Sequence, residues 1–523
     1  MLQIFTKKLI IFTVIFLLTL QVLLRFVNLE QKPFWGDEAD SLSWISGIAD
    51  FKSIALQGRE MSVGEVLSYQ KPHPSTNLID TYNIVHPQHP PLYYLLARLW
   101  MQADFFHFTT ARSLAALISL LVFPSIYWLC LELFQSSLVG WMAIAIVAVS
   151  PFHLLYAQEA RQYTLWIVLI LLTNLTLLRS MRLQTSLSWL SYIVTLTLML
   201  YTHLLSLTVV FIYSIYAVIQ EGFRLTKTLR AYLLSSFISF LFFIPWLIVI
   251  ANNSGFDTDQ SPGWSKKPTF LIVLIKTWVV NLNRVFWDFN QNFEYQNSLF
   301  CLLTLGLIIY AIYFLWHHAE KRASLLLVLS IVIPFLLLAT PDILLGGRRS
   351  TPIRYFIPSY LAIEIAVAYL LYHQLFAIIR ITNWQRKCWQ LITSIVILIG
   401  IFSSGLIVST DTWWNKHSEY YHSAMAKIVN QSKRPLVIAP WFDMRTLAHS
   451  FSNHVTLQEI RLLPDISSVG EDFSDVFLYQ DRITLERLLE SQPRIKIKEV
   501  YHWQRQTTPV NTTKKTLWQL GRD

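Results

Sequence analysis

Long apolar runs dominate this chain and limit what it can become. They lie near residues 9–27, 112–130, 137–152, 164–178, 187–203, 205–220, 231–250, 297–316, 323–340, 355–376 and 390–409. A helix of about 20 apolar residues crosses a bilayer's hydrocarbon core. The runs therefore predict an all-α polytopic membrane protein with about eleven transmembrane helices. Composition agrees, with 54% hydrophobic and 14% charged residues, where a soluble domain carries about a quarter charged.

Net charge is +10, but the Lys and Arg residues sit in short clusters between the apolar runs. That is a topology signal and not a nucleic-acid surface. With the N-terminus in the cytoplasm, Lys7/Lys8, Arg179/Arg182, Arg224/Lys227/Arg230, Lys321/Arg322 and Arg380/Arg386/Lys387 all fall inside. The first run lacks a small-residue cleavage site and reads as an uncleaved helix. One short outer loop breaks the rule: Gly346-Gly347-Arg348-Arg349-Ser350-Thr351-Pro352-Ile353-Arg354. Some force other than topology holds that charge outside. Cys130, Cys301 and Cys388 lie in or beside apolar runs without CxxC spacing, so neither a disulfide framework nor a zinc–cysteine site is expected.

The membrane domain spans 1–409. Outside it lie a first loop (28–110, with a short proline-capped interfacial helix near 90–101), a second loop (251–297) and a tail (410–523). The tail is more charged. It carries strand-like runs at Pro435–Ala439, Asp475–Tyr479 and Ile495–Val500, with a helix-like stretch at Thr484–Ser491. It reads as a small soluble α/β domain outside the cytoplasm.

Polar residues at membrane depth or at its edge are costly and mark functional sites. Four clusters qualify, all on the outer face. Phe34-Trp35-Gly36-Asp37-Glu38 places adjacent carboxylates just past the first span. They could serve a helix start or remove a proton from an acceptor hydroxyl. His86-Pro87-Gln88-His89-Pro90-Pro91-Leu92-Tyr93-Tyr94 offers two histidines, a weak metal signal without a third ligand, and two tyrosines that could belong to an interfacial belt. In Gln158-Glu159-Ala160-Arg161-Gln162-Tyr163, Arg161 could meet a phosphate and Glu159 orient it, or the two could pair together. Arg348, Arg349 and Arg354 suit phosphate oxygens or anionic headgroups. His203 ends a span at the same level. In the second loop, Trp264, Trp278 and Trp287 read as interface anchors in preference to sugar-stacking surfaces.

Trp35-Gly36-Asp37-Glu38, His89-Pro90-Pro91-Leu92-Tyr93-Tyr94, Gln158–Tyr163, Thr202-His203 and Arg354-Tyr355, in that order, resemble the GT-C membrane glycosyltransferases. The chain looks most like bacterial relatives of protein O-mannosyltransferase and of the lipid A aminoarabinose transferase, over roughly residues 1–380. The resemblance implies a polyprenyl-phosphate sugar donor and transfer with inversion to a protein, lipid or glycan acceptor. The reaction would take place on the outer face of a bacterial cytoplasmic membrane. It implies Asp37 as base or acceptor-orienting carboxylate with Glu38 beside it. The segment His89–Tyr94, with Tyr93 and Tyr94, would line the donor phosphate site, and Glu159 and Arg161 would support the carboxylate pair and the phosphate. Guanidinium chemistry adds Arg348 and Arg354 to the phosphate site with Arg161, with His86 and His203 in support. The aminoarabinose transferases carry a lysine before the paired prolines, where this chain has His89. Some relatives hold a divalent metal near the phosphate. Acids and histidines that could do so are present here, without a defined ligand set.

Chemistry alone leads to a similar place. A polyprenyl phosphate is already a good leaving group, so the site needs cationic stabilisation and a base more than a strong acid. The competing reading is a transporter or flippase of a lipid-linked substrate, which would show repeats and paired broken helices. Neither is evident in the sequence. A scaffold would explain the tail but not the acid pair.

Overall fold

A computed structural model describes residues 2–48, 58–103, 110–253, 263, 265–289, 298–376, 382–412, 421–460, 473–480, 495–508 and 511–522. The chain divides into two compact units. The first comprises 1–27, 86–93 and 112–408, and the second 28–85, 94–111 and 409–523.

The first unit is a helical bundle. It contains α1 (Leu2–Phe26), most of α6 (Ala111–Leu120), α7 (Val122–Phe134), α8 (Ser137–Val149), α9 (Pro151–Ala157), α10 (Tyr163–Leu183), α11 (Ser186–Leu200) and α12 (Ser206–Gln220). It continues through α13 (Lys227–Asn252), α14 (Leu271–Phe286), α15 (Ser298–His318), α16 (Lys321–Leu345), α17 (Ile357–Phe376) and α18 (Asn383–Ser409). Among the described residues seven helices are long and apolar enough to cross a membrane. An eighth is the pair α8–α9, bent by 65°, where Ser150 precedes the helix-breaking Pro151. Shorter apolar helices at Ile15–Phe26, α11 and α12 occupy the remaining predicted places. The chain is a multi-pass membrane protein. Its central helix is α17, 89% buried over its most apolar window, which packs against α8, α15 and α16.

The stretch 251–297, predicted as a loop, holds the 16-residue α14. Lys276, Asn281, Asn283 and Arg284 dilute its hydropathy, while Val273, Leu274, Val280 and Asn283 bury one face at helical spacing. The half-buried Trp278 donates its indole N–H to Ser350 Oγ at 3.0 Å, and Trp287, buried and donating to Thr304 Oγ1 at 3.0 Å, packs inside the protein in place of the expected interface anchor. Trp264 lies outside the described residues.

The second unit holds α2 (Gly36–Ser46), β1 (Glu60–Ser62), α3 (Val63–Ser68), α4 (Leu78–Ile84), α5 (Leu92–Ala103), α19 (His422–Val429), β2 (Pro435–Ala439), α20 (Trp441–Leu447), β3 (Thr456–Glu459), β4 (Asp475–Gln480), β5 (Ile495–Thr508) and β6 (Asn511–Arg522). Its six-stranded sheet runs β1-β3-β2-β4-β6-β5. β2 is parallel to β3 and β4, and the other pairings are antiparallel. As a central parallel strand β2 is buried on both faces, which is why it reads as an unbroken apolar run. Val437 and Ala439 enter one core with Met444 and Leu447, and Leu436 and Ile438 enter the other. Strand β1 comes from the loop after α1, so that loop and the tail share one sheet. The helix-like stretch Thr484–Ser491 lies outside the described residues.

Candidate active site

The first unit gathers four of the predicted residues. Arg161 Nη2 reaches His89 Nδ1 at 3.5 Å, and Gln162 Nε2 reaches the same nitrogen at 3.4 Å. Both are long, weak contacts. The charges of Arg161 and Arg354 both act on His89 and on His203. Arg354 lies over the rings of Tyr163 (6.0 Å) and Tyr355 (5.4 Å), and Arg161 lies over Tyr163 at 5.8 Å. Two guanidiniums, two imidazoles and an aromatic wall thus share one place.

The protonation of these histidines follows from their surroundings. Leu205 N–H donates to His203 Nδ1 at 3.1 Å, which leaves the ring proton on Nε2. Burial, then Arg161 and Arg354, pushes His203 down to about 3. His89 is held well below the usual range by burial first, then by Arg161, His203, His86 and Arg354. Both rings are neutral donors near neutral pH. His203 is fixed by stacking on Trp166, with centroids 4.3 Å apart at 14°, and the Trp166 indole donates to Ser206 Oγ at 3.0 Å.

Local folding explains how these groups meet. Gln158 Nε2 donates to the carbonyls of Leu24 and Val27, both at 3.0 Å, satisfying the end of α1. That ties the Glu159–Arg161 turn to the first span. Glu159 is fully buried beside it. Tyr156 stands in the field of Glu159 and Arg354 and packs edge-on to Tyr163 at 5.1 Å. Leu92 N–H donates to Tyr201 O at 3.1 Å, joining the His89 segment to the turn that carries His203. One turn into α9, His153 Nε2 meets Glu364 Oε2 of α17 at 2.9 Å, both buried.

The basic loop 346–354 divides in two. Buried Asp342 accepts from Arg349 Nη1 (3.0 Å), Ser350 N–H (2.6 Å) and Ser350 Oγ (2.7 Å). This carboxylate pairs with Arg349, so part of the loop's positive charge is met within the protein. Arg354 belongs to the cluster. Arg348, whose N–H donates to Ser265 O at 2.9 Å, is not among the charges acting on His89 or His203. His86 is beside the cluster, its ring 6.0 Å from that of His89.

Asp37 and Glu38 belong to the second unit, in the first turn of α2. Glu38 is fully buried and its Oε2 accepts from Trp35 N–H at 3.4 Å. It completes the helix start as a capping carboxylate does. Asp37 is half-buried. Of the paired tyrosines, both fully buried, Tyr93 falls in the first unit and Tyr94 in the second. Their burial rules out an interfacial belt. Tyr94 packs edge-on to Trp44 of α2 at 5.0 Å.

Sequence reasoning missed Tyr156, Tyr163 and Trp166 as cluster walls and the His153–Glu364 pair. The pair had a readable signal, since an ionisable residue inside an apolar run is itself a flag. Among the described residues no three His, Cys, Asp or Glu side chains gather.

No family model and no curated protein sequence matches the chain. Solved structures do. ArnT from Cupriavidus metallidurans bound to undecaprenyl phosphate superposes with a TM-score of 0.56 at 12% identity, covering 97% of both chains. Its apo state gives 0.55 at 12% identity and the same coverage. The Archaeoglobus fulgidus oligosaccharyltransferase is more distant, with a TM-score of 0.47 at 11% identity over 93% of this chain and 69% of that one. At such identities the likeness is one of fold, and this chain has the GT-C fold of ArnT.

Proposed function

We propose that this protein is a membrane glycosyltransferase that moves a sugar from a polyprenyl phosphate to an acceptor on the outer face of a bacterial cytoplasmic membrane. The observation that carries the reading is the cluster of Arg161, Arg354, His89 and His203 in a chain with the fold of ArnT, which was itself crystallised with undecaprenyl phosphate.

The chemistry follows from charge. As the glycosidic C–O bond breaks, its electrons move onto the phosphate oxygen. Arg161 and Arg354 meet that charge with fixed donors, which need no reorganisation at the moment of reaction. Neutral His203 and His89 add N–H donors without adding buried charge. Asp37, half-buried, takes the proton of the incoming hydroxyl or orients it. Attack from the face opposite the phosphate inverts the anomeric carbon. Glu38 supports the helix start that carries Asp37.

The test supplies the purified, detergent-solubilised protein with a panel of polyprenyl-phosphate sugars and candidate acceptors, and reads free polyprenyl phosphate. Wild-type release, lost in a folded Asp37→Asn variant, supports the reading and identifies the donor. Absence of both release and donor binding sinks it. The transport reading has one observation in its favour, the 65° break between α8 and α9. Donor movement across vesicles without sugar transfer would favour it.

A further inference from the structure

Away from the cationic cluster, a set of directed contacts surrounds α2, the helix whose first turn holds Asp37 and Glu38. Gly36, Asp40 and Ser43 are spaced i, i+4, i+7 and share one face. Phe442, Arg445 and His449, spaced i, i+3, i+7 through α20 and the turn after it, meet that face and the segment before it. A Cβ built on Gly36 would stand 2.5 Å from Phe442 Cζ, so glycine there admits the ring. Arg445 is buried. It donates from Nη2 to Asp40 Oδ1 at 2.8 Å and from Nη1 to Ser43 Oγ at 3.1 Å. Its guanidinium lies 5.3 Å from the Phe442 ring centroid.

Arg445 is fixed at its other end too. Its carbonyl accepts from Gln70 Nε2 at 3.0 Å. Gln70 Oε1 meets His449 Nε2 at 3.0 Å, and His449 stacks on Phe34 with centroids 4.0 Å apart. The far end of α2 is anchored separately. Fully buried Arg98 donates to the carbonyls of Ile45 (2.9 Å), Ser46 (3.0 Å), His73 (3.3 Å) and Thr76 (2.5 Å). An 11-residue helix is marginal alone in water. Arg98 holds its last turn, and Arg445 holds the half that bears the acids. Neither Nη of Arg445 is directed at Asp37. Both reach the next turn along, so the cation sets the helix without a direct bond to the reacting carboxylate.

We propose that Arg445 is a positioning residue. Through its bonds to Asp40 and Ser43, the C-terminal α/β stretch sets the orientation of α2 and with it the Asp37 carboxylate. The tail is then a working part of the transferase. This rests on the glycosyltransferase reading for its kinetic consequence, but not for its structural one.

The test uses the full-length protein and four variants: Arg445→Ala, Arg445→Lys, Asp40→Asn, and the exchanged pair Asp40→Arg with Arg445→Asp. Hydrogen exchange of the α2 amides is read against those of β2 and β3. In Arg445→Ala, α2 exchange is expected to quicken at least 10-fold with the sheet amides unchanged. Lysine restores part of the protection, and the exchanged pair most of it. With donor and acceptor supplied, kcat falls 10- to 100-fold while KM for the donor stays within about threefold, in line with lost alignment. Unchanged α2 exchange overturns the proposal, and so does loosened α2 with unchanged kcat. Should Arg445→Ala disturb the sheet, Asp40→Asn poses the same question with α20 intact. A wild type that neither turns over nor binds any donor sinks the glycosyltransferase reading, while hydrogen exchange still decides whether the clamp exists.

Discussion

The cationic cluster and the acid-bearing helix are built in opposite ways. The cluster is assembled from far-apart points in the sequence: His89, Arg161, His203 and Arg354 arrive from four separate loops or helix ends. Membrane helices and buried aromatic rings hold it. The acids are neighbours in sequence, on a helix of three turns, held from outside by two arginines. Buried cations need a rigid apolar frame and a matching anion. In the proposed mechanism the carboxylate that takes a proton needs access, and Asp37 is half-buried. The contrast predicts that changes in the cluster act on donor binding and leaving-group departure, whereas changes at α2 act on turnover.

The sharpest break in that contrast comes from Asp37→Asn. Turnover is expected to fall by about 10²–10⁴ with donor affinity nearly unchanged, measured by phosphate release beside a direct binding assay. Equal loss of binding would merge the two regions into one role. Next come Arg161→Ala and Arg354→Ala, each costing about 10²–10³ in rate and weakening donor binding as well. Lysine should recover little, because it lacks the planar fork.

Asp342→Ala tests the frame. It leaves the buried Ser350 N–H and hydroxyl, and the partly exposed Arg349, without their carboxylate, which costs about 1–3 kcal/mol. A lowered melting temperature in detergent checks this, and an unchanged one means Arg349 finds other partners. The smallest effect concerns pH. His89 and His203 are depressed in the folded chain, so below about 6.5 the unfolded chain takes up protons that the folded one does not. Stability should therefore fall as pH drops through that value, and His203→Gln should flatten the slope. Donor binding, by contrast, should show no histidine step between pH 5 and 8. A step there would mean that a charged imidazole serves the phosphate.

Much of this was readable in advance. The eleven apolar runs correspond to helices because a bilayer demands about 20 apolar residues per crossing, whatever the packing. Strands β2, β4 and the start of β5 stood out as short β-branched or apolar runs. The basic loop was visible as an anomaly, although Asp342, the partner of Arg349 just past the apolar run 323–340, was not singled out. Helix α14 escaped because its polar residues resemble those of a loop until one face is buried. Strand β1 escaped because three residues carry no period of their own.

The sequence by itself determined the membrane class, the position of most helices and the identity of the acid pair, since each is written in local hydropathy or in adjacent residues. Only the tertiary structure decided which cations meet. Arg161, Arg354, His89 and His203 are brought together by helix packing over separations of tens to hundreds of residues. It also decided that Arg349 is neutralised, that Glu38 serves the helix start, and that residues near 445 grip a helix near 40. Such pairings depend on side-chain geometry across the fold, and no local pattern encodes them.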